Sequence, residues 1–281
     1  MRPANRTQIT HEVEGIIMST LEGSPNPFGG FVVNPGALPV DSSRFRRRLA
    51  DAMDDWQDVG YKVAWLEVPV ANAALVPIAA EAGFRYHHAG EDYVMMTLQI
   101  EKGAYIPPHA THYIGAGGVV LSEDRQLLVV SERHQIRPRS GPSYKLPGGA
   151  LVQGEHLADG VVREVLEETG VRTRFEAMVC LRHWHGYRYG KSDIYFVCRL
   201  SPLSTEITMQ EEELEAALWM PVDEYLAADT VHLFNKTIVS AALNSEGVSP
   251  GFIEGYGDRQ QFEFFLPKTI MPEGVEYEET P

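Results

Sequence analysis

Hydrophobic residues in the first part of the chain recur at helical spacing over residues 41–60, which predicts an amphipathic helix that Gly60 is placed to stop. The apolar residues with this spacing are Phe45, Leu49, Met53 and Trp56. The elements predicted to follow are a strand at 61–70, a helix at 71–82 and short strands at 84–88 and 93–99. This succession indicates a compact αβαβ unit.

Two consecutive prolines, Pro107 and Pro108, favour an extended backbone and resist helix formation. We therefore place a domain boundary at this point of the chain. The predicted division is an N-terminal α/β domain at residues 1–105, a second domain at 106–245 and a C-terminal tail of unassigned role at 246–281.

The second domain alternates strand-forming runs with a few helix-forming stretches. Strands are predicted at 113–121, 126–131, 175–184, 193–200 and 216–220, and helices at 158–169, 222–227 and 232–244. Glycines inside the first strand mark a bulge or a close approach to another backbone or a ligand. The fold class expected for the whole chain is α/β (α+β).

Charge and composition narrow the class of partner. The formal net charge of −15, without a stripe rich in Lys and Arg, disfavours nucleic acid as a partner. The N-terminus lacks the layout of a secretory signal, and no apolar run approaches the ~20 residues that span a bilayer, so no membrane association is expected. Cys180 and Cys198 lie in apolar runs, which is typical of free thiols in a reducing compartment. We expect a cytoplasmic protein whose small anionic substrate needs a metal or a few basic residues.

The segment that carries candidate chemistry is Gly149–Val171, GALVQGEHLADGVVREVLEETGV. Residues 158–169 suit a helix, and their spacing places Glu164, Glu167 and Glu168 on one side of it. Crowded like charges destabilise a helix unless cations neutralise them, and Mg²⁺ or Mn²⁺ prefers carboxylate oxygens and water as ligands. For such a cluster alone, a solvated acidic helix face would be the alternative.

The same segment resembles the signature of the Nudix hydrolases at every fixed position. These positions are Gly149, Glu155 and the run Arg163–Val171. From ordinary residue frequencies, a chance match in a chain of this length has a probability on the order of one in ten million. The resemblance implies a metal-dependent hydrolase in which the carbonyl of Gly148 joins the three glutamates as a metal ligand.

Arg163 and Glu155 are expected to organise the acidic cluster. The planar fork of Arg163 can bind two carboxylate oxygens at once, so its expected role is to orient glutamates. Glu155 is expected to support a metal through water or to pair with Arg163. The mechanism implied is attack of a metal-bound water on one phosphorus of a diphosphate, with a carboxylate accepting the proton. Glu168 and Glu213 are the candidates for this base, because Nudix enzymes often use a glutamate from a loop across the pocket; a merely solvated loop is the alternative for Glu213.

Segments outside the signature resemble one branch of the family, which contains the animal Nudix motif 6 protein and plant cytosolic ADP-ribose/NADH pyrophosphatases. They are Trp65–Pro69, Ala82–Ala89, Pro108–His112 and Ser192–Leu200. The fold implied is an α/β/α Nudix sandwich preceded by a smaller α/β domain similar to half of an acetyltransferase, which would serve dimerisation or shape the substrate site. A homodimer that hydrolyses ADP-ribose or NADH to AMP is expected on this resemblance.

Cationic and aromatic residues between Arg182 and Lys191 combine the groups that hold a phosphate and stack on a base. We expect Arg182, His185 and Tyr187 to contact the substrate. Tyr187 also falls where dinucleoside-polyphosphate hydrolases carry a base-stacking tyrosine. An ordinary hairpin turn with exposed charges is the alternative for this segment.

Three further functions stay open. The first alternative is a hydrolase of a different diphosphate, namely a dinucleoside polyphosphate, an inositol pyrophosphate, a prenyl diphosphate or a capped nucleotide. An inositol pyrophosphate would require more lysines or arginines around the pocket. The second, a module that binds ADP-ribose or NADH without turnover, is disfavoured because it has no need of all three glutamates. The third, a Nudix-fold isomerase, needs a reactive cysteine, whereas Cys180 lies in an apolar strand pattern.

Overall fold

The structure is a computed structural model that describes residues 21–133, 143–253, 255–268 and, for the backbone only, 275–277. By its internal contacts the chain divides into two compact units, and the division falls between Ala110 and Thr111. The C-terminal residues that the sequence leaves unassigned belong to the second unit.

The described residues of the N-terminal unit form a five-stranded sheet and two α-helices. Its elements are β1 (Gly23–Pro25), β2 (Gly30–Val33), α1 (Ser42–Val59), β3 (Val63–Pro69), α2 (Val76–Glu81), β4 (Arg85–Ala89) and β5 (Tyr93–Gln99). The strand order is β1-β2-β3-β5-β4. Only β2 and β3 run parallel among these neighbours, because α1 lies between them in the chain and provides the crossover.

Helix α1 begins and ends at the residues that local signals predict. The side chain of Asp41 accepts a 2.7 Å hydrogen bond from the backbone N–H of Arg44, which caps the first turn. Gly60 adopts φ 85°, a left-handed conformation that ends the helix. The buried face of α1, including Phe45 and Trp56, joins one hydrophobic core with the sheet.

The α-helix predicted over residues 71–82 is only partly present, and that prediction is wrong for its first half. Val70–Leu75 form a 3-10 helix, in which Asn72 has non-helical angles (φ −109°, ψ 21°). The α-helix begins only at Val76. Pro77 has no N–H to donate and its ring clashes with the preceding turn, so it is tolerated only at the start of a helix.

The second unit contains a four-stranded sheet of order β8-β6-β10-β9 and a two-stranded sheet of β7 and β11. The strands are β6 (His112–Val120), β7 (Gln126–Glu132), β8 (Gly148–Ala150), β9 (Thr173–Trp184), β10 (Ser192–Pro202) and β11 (Leu214–Pro221). The helices are α3 (Leu157–Thr169), α4 (Val222–Ala227) and α5 (Leu233–Asn244). All the strands and helices predicted here are present, with ends shifted by at most a few residues.

Successive residues of the central strands belong to different cores, because their side chains point to opposite faces of the sheet. Val119 packs in one core with Val239 of α5. Val120 packs in another core with Val161 and Val165 of α3. Helices therefore cover both faces, and the unit is the α/β/α sandwich that the resemblance implies.

The C-terminal segment forms a small three-stranded sheet of its own. Strand β12 (Ser249–Ile253) pairs antiparallel with β13 (Phe264–Leu266) and with β14 (Val275–Tyr277). Val248 and Met178 of β9 exchange two backbone hydrogen bonds of 2.9 Å each, and Val248 directly precedes β12. These bonds tie the segment to the main sheet of the second unit.

Both cysteines are free thiols. Burial raises the pKa of Cys198, which is fully buried, and also that of the half-buried Cys180. A raised pKa lowers the thiolate fraction, which argues against the nucleophilic cysteine of an isomerase. Within the described ranges, no helix has the length and apolar character needed to cross a membrane.

Candidate active site

Strand β8, which lies between β7 and α3 in the chain, brings a glycine pair against the central strand β6. Gly148 adopts φ 146°, and a Cβ there would overlap the backbone of Ala116 and Gly117. The backbone N–H of Gly118 donates a 2.9 Å hydrogen bond to the carbonyl of Pro147 and fixes this approach. Only glycine fits at position 148, and the backbone is thereby held close to the acidic helix.

Helix α3 carries the three glutamates predicted as metal ligands. The helix ends at Gly170, whose φ of 72° is left-handed, so that Thr169 is its last residue. Its residues Val161 and Val165 face the core, and its residues Glu164 and Glu168 face the Gly148–Gly149 backbone. The side chains of Glu164 and Glu167 are 17% and 54% exposed, whereas Glu168 is buried. The cluster therefore spans the boundary between the core and solvent.

Arg163 binds three carboxylates at once. Its Nε and one terminal nitrogen reach the two carboxylate oxygens of Glu155 at 2.6 and 2.9 Å. Its other terminal nitrogen lies 2.9 Å from both Glu164 and Glu167. These contacts hold the pKa of Glu155 below its usual range and that of Arg163 above its own. Glu155 thus pairs with Arg163, which is one of the two arrangements predicted for it, and the orienting role of Arg163 stays a prediction.

Glu168 has the most perturbed carboxylate of the acidic face. Its Oε2 accepts a 2.9 Å hydrogen bond from the backbone N–H of Gly148. Burial disfavours the charged form and raises the pKa of Glu168 to about 7, although Lys145 and the Gly148 N–H both act in the opposite direction. A carboxyl group with this pKa exchanges a proton near neutral pH, as a general base must.

The acidic face offers only oxygen donors, which is the set that a hard divalent cation prefers. Among the described residues, no three His, Cys, Asp or Glu side chains are arranged to hold an ion as they stand. Arg163 engages Glu164 and Glu167 instead, and Glu168 turns to the Gly148 N–H. A buried carboxylate with a raised pKa is the group whose charge a bound cation would stabilise, so the residues fit a divalent ion chemically.

A cavity of about 520 Å³ lies in the N-terminal unit, and a second one of about 420 Å³ opens beside the acidic face in the second unit. The second cavity is lined by Tyr113, Ile114, Gly115, Gly149, Ala150, Arg182, Tyr187, Arg188, Tyr189, Asp193 and Tyr195. Its size falls within the range typical of small-ligand sites. Because Gly149 also contacts Glu164, the cavity and the acidic face share one strand, β8.

Arg182 stands in this cavity, as predicted for a substrate contact. One terminal nitrogen lies 2.5 Å from Asp193, a carboxylate that is only 9% exposed. The guanidinium carbon lies 5.3 Å from the ring centre of Tyr195, within range of a cation–π contact. The buried Nε of Arg182 has no hydrogen-bond partner in the part of the chain that the structure describes.

Two tyrosines form an aromatic wall of the cavity. The rings of Tyr113 and Tyr187 meet edge-on, with centroids 5.9 Å apart. Lys191 lies 5.2 Å over the ring of Tyr113, and Arg188 lies 5.0 Å over that of Tyr187. Rings flanked by cations suit a planar base that carries phosphate groups.

The remaining two predicted residues stand apart from this cavity. His185 lies in the neighbouring hairpin, where its Nδ1 is 3.1 Å from the hydroxyl of Ser192 and its ring is 4.2 Å from that of His183. Glu213 is exposed, and its backbone carbonyl accepts a hydrogen bond from Arg133 at the start of β11. Their proposed roles in substrate binding and catalysis stay predictions.

Sequence reasoning missed several residues of the site. Lys145 lies three residues before Gly148 and acts on Glu168, and its charge was an available signal. Asp193 and Tyr113 line the cavity through strand register, which no local pattern reveals. Glu263 contacts the start of α3 from more than a hundred residues away in the chain.

Comparison with known proteins gives matches over most of the chain. Residues 21–100 match the family described as Nudix hydrolase domain, and residues 111–241 match the NUDIX domain. Nudix hydrolase 8 of Arabidopsis thaliana is 40% identical over 74% of this chain and 57% of its own length. Nudix hydrolase 2 of the same plant is 40% identical over 79% of this chain and 82% of its own length. The human nucleoside diphosphate-linked moiety X motif 6 is 34% identical over 73% and 66%, respectively.

The second unit thus combines an α/β/α sandwich with an acidic helix beside a cationic, aromatic cavity. Because of these matches, the chain is assigned to the Nudix hydrolase family, to which it belongs together with the relatives named above. Members of this family generally use divalent metal ions. The family and branch predicted from the sequence are confirmed. The chain spans little more than half of Nudix hydrolase 8, at 57%.

Proposed function

We propose that this chain hydrolyses the diphosphate of ADP-ribose, of NADH or of both, releasing AMP, with Mg²⁺ or Mn²⁺ bound at the acidic face of α3. The observation that carries the proposal is the position of Gly149. This residue contacts the carboxylate of Glu164 on one side and lines the cationic, aromatic cavity on the other. A nucleotide in the cavity would thus extend its diphosphate toward the acidic face.

The candidate metal ligands are Glu164, Glu167, Glu168 and the carbonyl of Gly148. A bound divalent ion supplies charge neutralisation for the diphosphate and lowers the pKa of water. Arg163 holds Glu164 and Glu167 in place through its bonds to them. Glu168, the carboxylate held beside the backbone of Gly148, is the favoured proton acceptor, and Glu213 is the alternative base.

On the substrate side, Arg182 is proposed to bind a phosphate oxygen. Its side chain lines the cavity and is 35% exposed, so a terminal nitrogen can bind a ligand oxygen. The wall formed by Tyr113 and Tyr187 would pack against the base. His185 is retained as a second phosphate contact, through a rotation of its side chain.

The first test compares products from ADP-ribose, NADH, a dinucleoside polyphosphate and an inositol pyrophosphate with Mg²⁺ or Mn²⁺ present. Glu168→Gln is the variant, and Glu215→Gln, on the exposed side of β11, is its matched control. AMP from ADP-ribose or NADH, lost in the first variant and kept in the second, supports the proposal. Preferred cleavage of another diphosphate would overturn the proposed substrates. Binding of ADP-ribose without turnover would indicate a nucleotide-sensing module.

The base is assigned by comparing Glu168→Gln with Glu213→Gln. If Glu168 accepts the proton, the Glu213→Gln variant should keep most of the turnover, and its kcat should still fall at low pH as in the wild type. Loss of this fall in Glu213→Gln, with metal binding unchanged, would transfer the role to Glu213.

We also propose that the chain is a cytoplasmic homodimer with three parts, divided near residues 105 and 245. The N-terminal part would provide the dimer contact or shape the substrate site. Light scattering of the purified full chain tests this oligomeric state, because a monomer at micromolar concentration would contradict it.

A further inference from the structure

Helix α3 begins without the capping bond that its own N-cap residue normally supplies. His156 occupies the N-cap position but makes no side-chain bond to the first turn. The carboxylate of Glu263 takes this role, with one oxygen 2.7 Å from the N–H of Leu157 and the other 3.1 Å from the N–H of Ala158. An acceptor for such orphan donors typically biases a helix roughly fivefold toward the helical state.

Glu263 is itself held in place by the C-terminal sheet. It directly precedes β13, which pairs with β12. The ring of Phe265 in β13 lies 5.9 Å from that of Phe175 in β9. A second tie runs beside it, because the His156 ring nitrogen Nε2 lies 2.8 Å from the carbonyl of Arg259. The start of α3 is therefore bound to the C-terminal segment at two points.

The first turn of α3 is in contact with the network that orients the acidic face. A Cβ added to Gly160 would lie 2.9 Å from Oε2 of Glu155, so the first turn packs closely against that carboxylate. Glu155 in turn forms the paired bonds to Arg163. A shift of the first turn would move Glu155, and with it the guanidinium that holds Glu164.

We propose that Glu263 is a positioning residue of the active site: by capping α3 it fixes the helix and, through Glu155 and Arg163, the carboxylates that would hold the metal. The inference rests on the proposed function, in which the acidic face of α3 binds the catalytic metal. Glu263 lies beyond residues 111–241, the extent of the NUDIX domain match, so the C-terminal segment is an added part of the catalytic unit.

The charge of Glu263 is suited to this place. A negative group at a helix N-terminus is stabilised by the helix dipole and by the free N–H donors. Burial raises the pKa of Glu263, while the bonds from Ala158 and Leu157 lower it. Glutamine keeps the shape but replaces one acceptor oxygen by a donor, whereas aspartate keeps the charge on a shorter side chain.

The test uses the full chain with Glu263→Ala, Glu263→Gln and Glu263→Asp. Asp159→Asn is the matched control, because Asp159 is an exposed acid in the first turn of the same helix. Mn²⁺ affinity is measured directly from the electron paramagnetic resonance signal of free Mn²⁺. Hydrogen exchange is followed at the amides of residues 157–160, and kcat and KM are measured separately.

Glu263→Ala is expected to weaken Mn²⁺ binding about tenfold, the lower end of the range for residues that orient metal ligands. Exchange at residues 157–160 should accelerate and kcat should fall, with KM for the nucleotide nearly unchanged. Glu263→Asp should recover part of the affinity, and Asp159→Asn should change it by less than about twofold, as for an exposed surface charge.

Faster exchange with unchanged Mn²⁺ affinity and kcat would overturn the inference, because the cap would then serve stability alone. A normal exchange rate in Glu263→Ala would overturn it as well. A wild-type chain that binds Mn²⁺ without cleaving ADP-ribose or NADH would overturn only the proposed substrates. The Mn²⁺ affinities would in that case still decide the role of Glu263.

Discussion

The carboxylate of Glu164 lies directly against the backbone of Gly149. A Cβ built on Gly149 would come 2.5 Å from Oε2 of Glu164, which is closer than real Cβ atoms approach. The absence of a side chain at this position thus lets an acidic residue of α3 reach the strand that lines the substrate cavity.

Gly149→Ala is therefore expected to displace the Glu164 carboxylate and to lower kcat. A misplacement near 1 Å costs on the order of a hundredfold in rate, and the added methyl group demands a shift of that size. Steady-state kinetics checks this, with Gly36→Ala as control, since a Cβ there meets nothing closer than 3.4 Å. Equal kcat values for the two variants would contradict the close approach.

Arg163→Lys keeps the positive charge but removes the fork that serves three carboxylates. A lysine can reach one or two of these acceptors, so Glu155, Glu164 and Glu167 would lose their common orientation. We expect Mg²⁺-dependent turnover to fall about tenfold to a hundredfold, and the Mg²⁺ concentration for half-maximal activity to rise. Arg174→Lys, at an exposed position of β9, is the control and should retain full activity. Wild-type activation by Mg²⁺ in Arg163→Lys would show that charge alone suffices.

Local signals account for the elements that were predicted well. Asp41 and Gly60 supply both caps of α1, and the bounds predicted for α4 are those observed. In α2, by contrast, an apolar pattern competes with Pro77, and the chain follows the proline. The strands β12 and β13 have five and three residues, too few for a periodic pattern to reveal them. They pair with each other, and β12 also pairs with β14.

In the candidate site, too, contacts between residues close in sequence could be predicted, whereas contacts between distant residues could not. Glu155 and Arg163 are eight residues apart, and their pairing follows from charge and helix geometry. The contact between Arg182 and Asp193 depends instead on the register of β9 and β10, which opposes Asp193 to Trp184. Glu263 reaches α3 from 106 residues away, a distance over which sequence patterns carry no information about contact.

The raised pKa of Glu168 gives the metal-free protein a distinctive pH dependence. An ordinary glutamate in the unfolded chain ionises near pH 4.5, whereas the folded carboxyl keeps its proton up to about pH 7. The unfolded state therefore binds fewer protons in this window, and the free energy of unfolding falls as pH rises from 4.5 to 7. The contribution is on the order of 3 kcal/mol, given 1.36 kcal/mol for each pKa unit.

Urea unfolding in EDTA at pH 5 and pH 8 measures this effect, with Glu168→Gln as the reference that lacks the titrating group. The wild-type chain should lose more stability than the variant between the two pH values. Added Mg²⁺ should restore more stability at pH 8 in the wild type than in the variant, which lacks one of the proposed carboxylate ligands, since an ion that binds the folded state shifts the equilibrium toward it. Parallel pH profiles of the two proteins would contradict the assigned pKa.

Variants of Arg182 can distinguish a structural ion pair from a substrate contact. The partner of Arg182 in the ion pair is Asp193, whose carboxylate is nearly buried. Arg182→Met leaves that carboxylate unpaired, which should lower the free energy of unfolding by about 3 kcal/mol and also raise KM. In the double variant Arg182→Met, Asp193→Asn no buried charge remains, so most of the stability should return. If Arg182 binds a phosphate oxygen, KM for ADP-ribose stays raised about tenfold in the double variant. The reason is that the variant still lacks a contact that stabilises the bound substrate and the transition state equally. Recovery of KM together with stability would instead show that Arg182 acts on the fold alone.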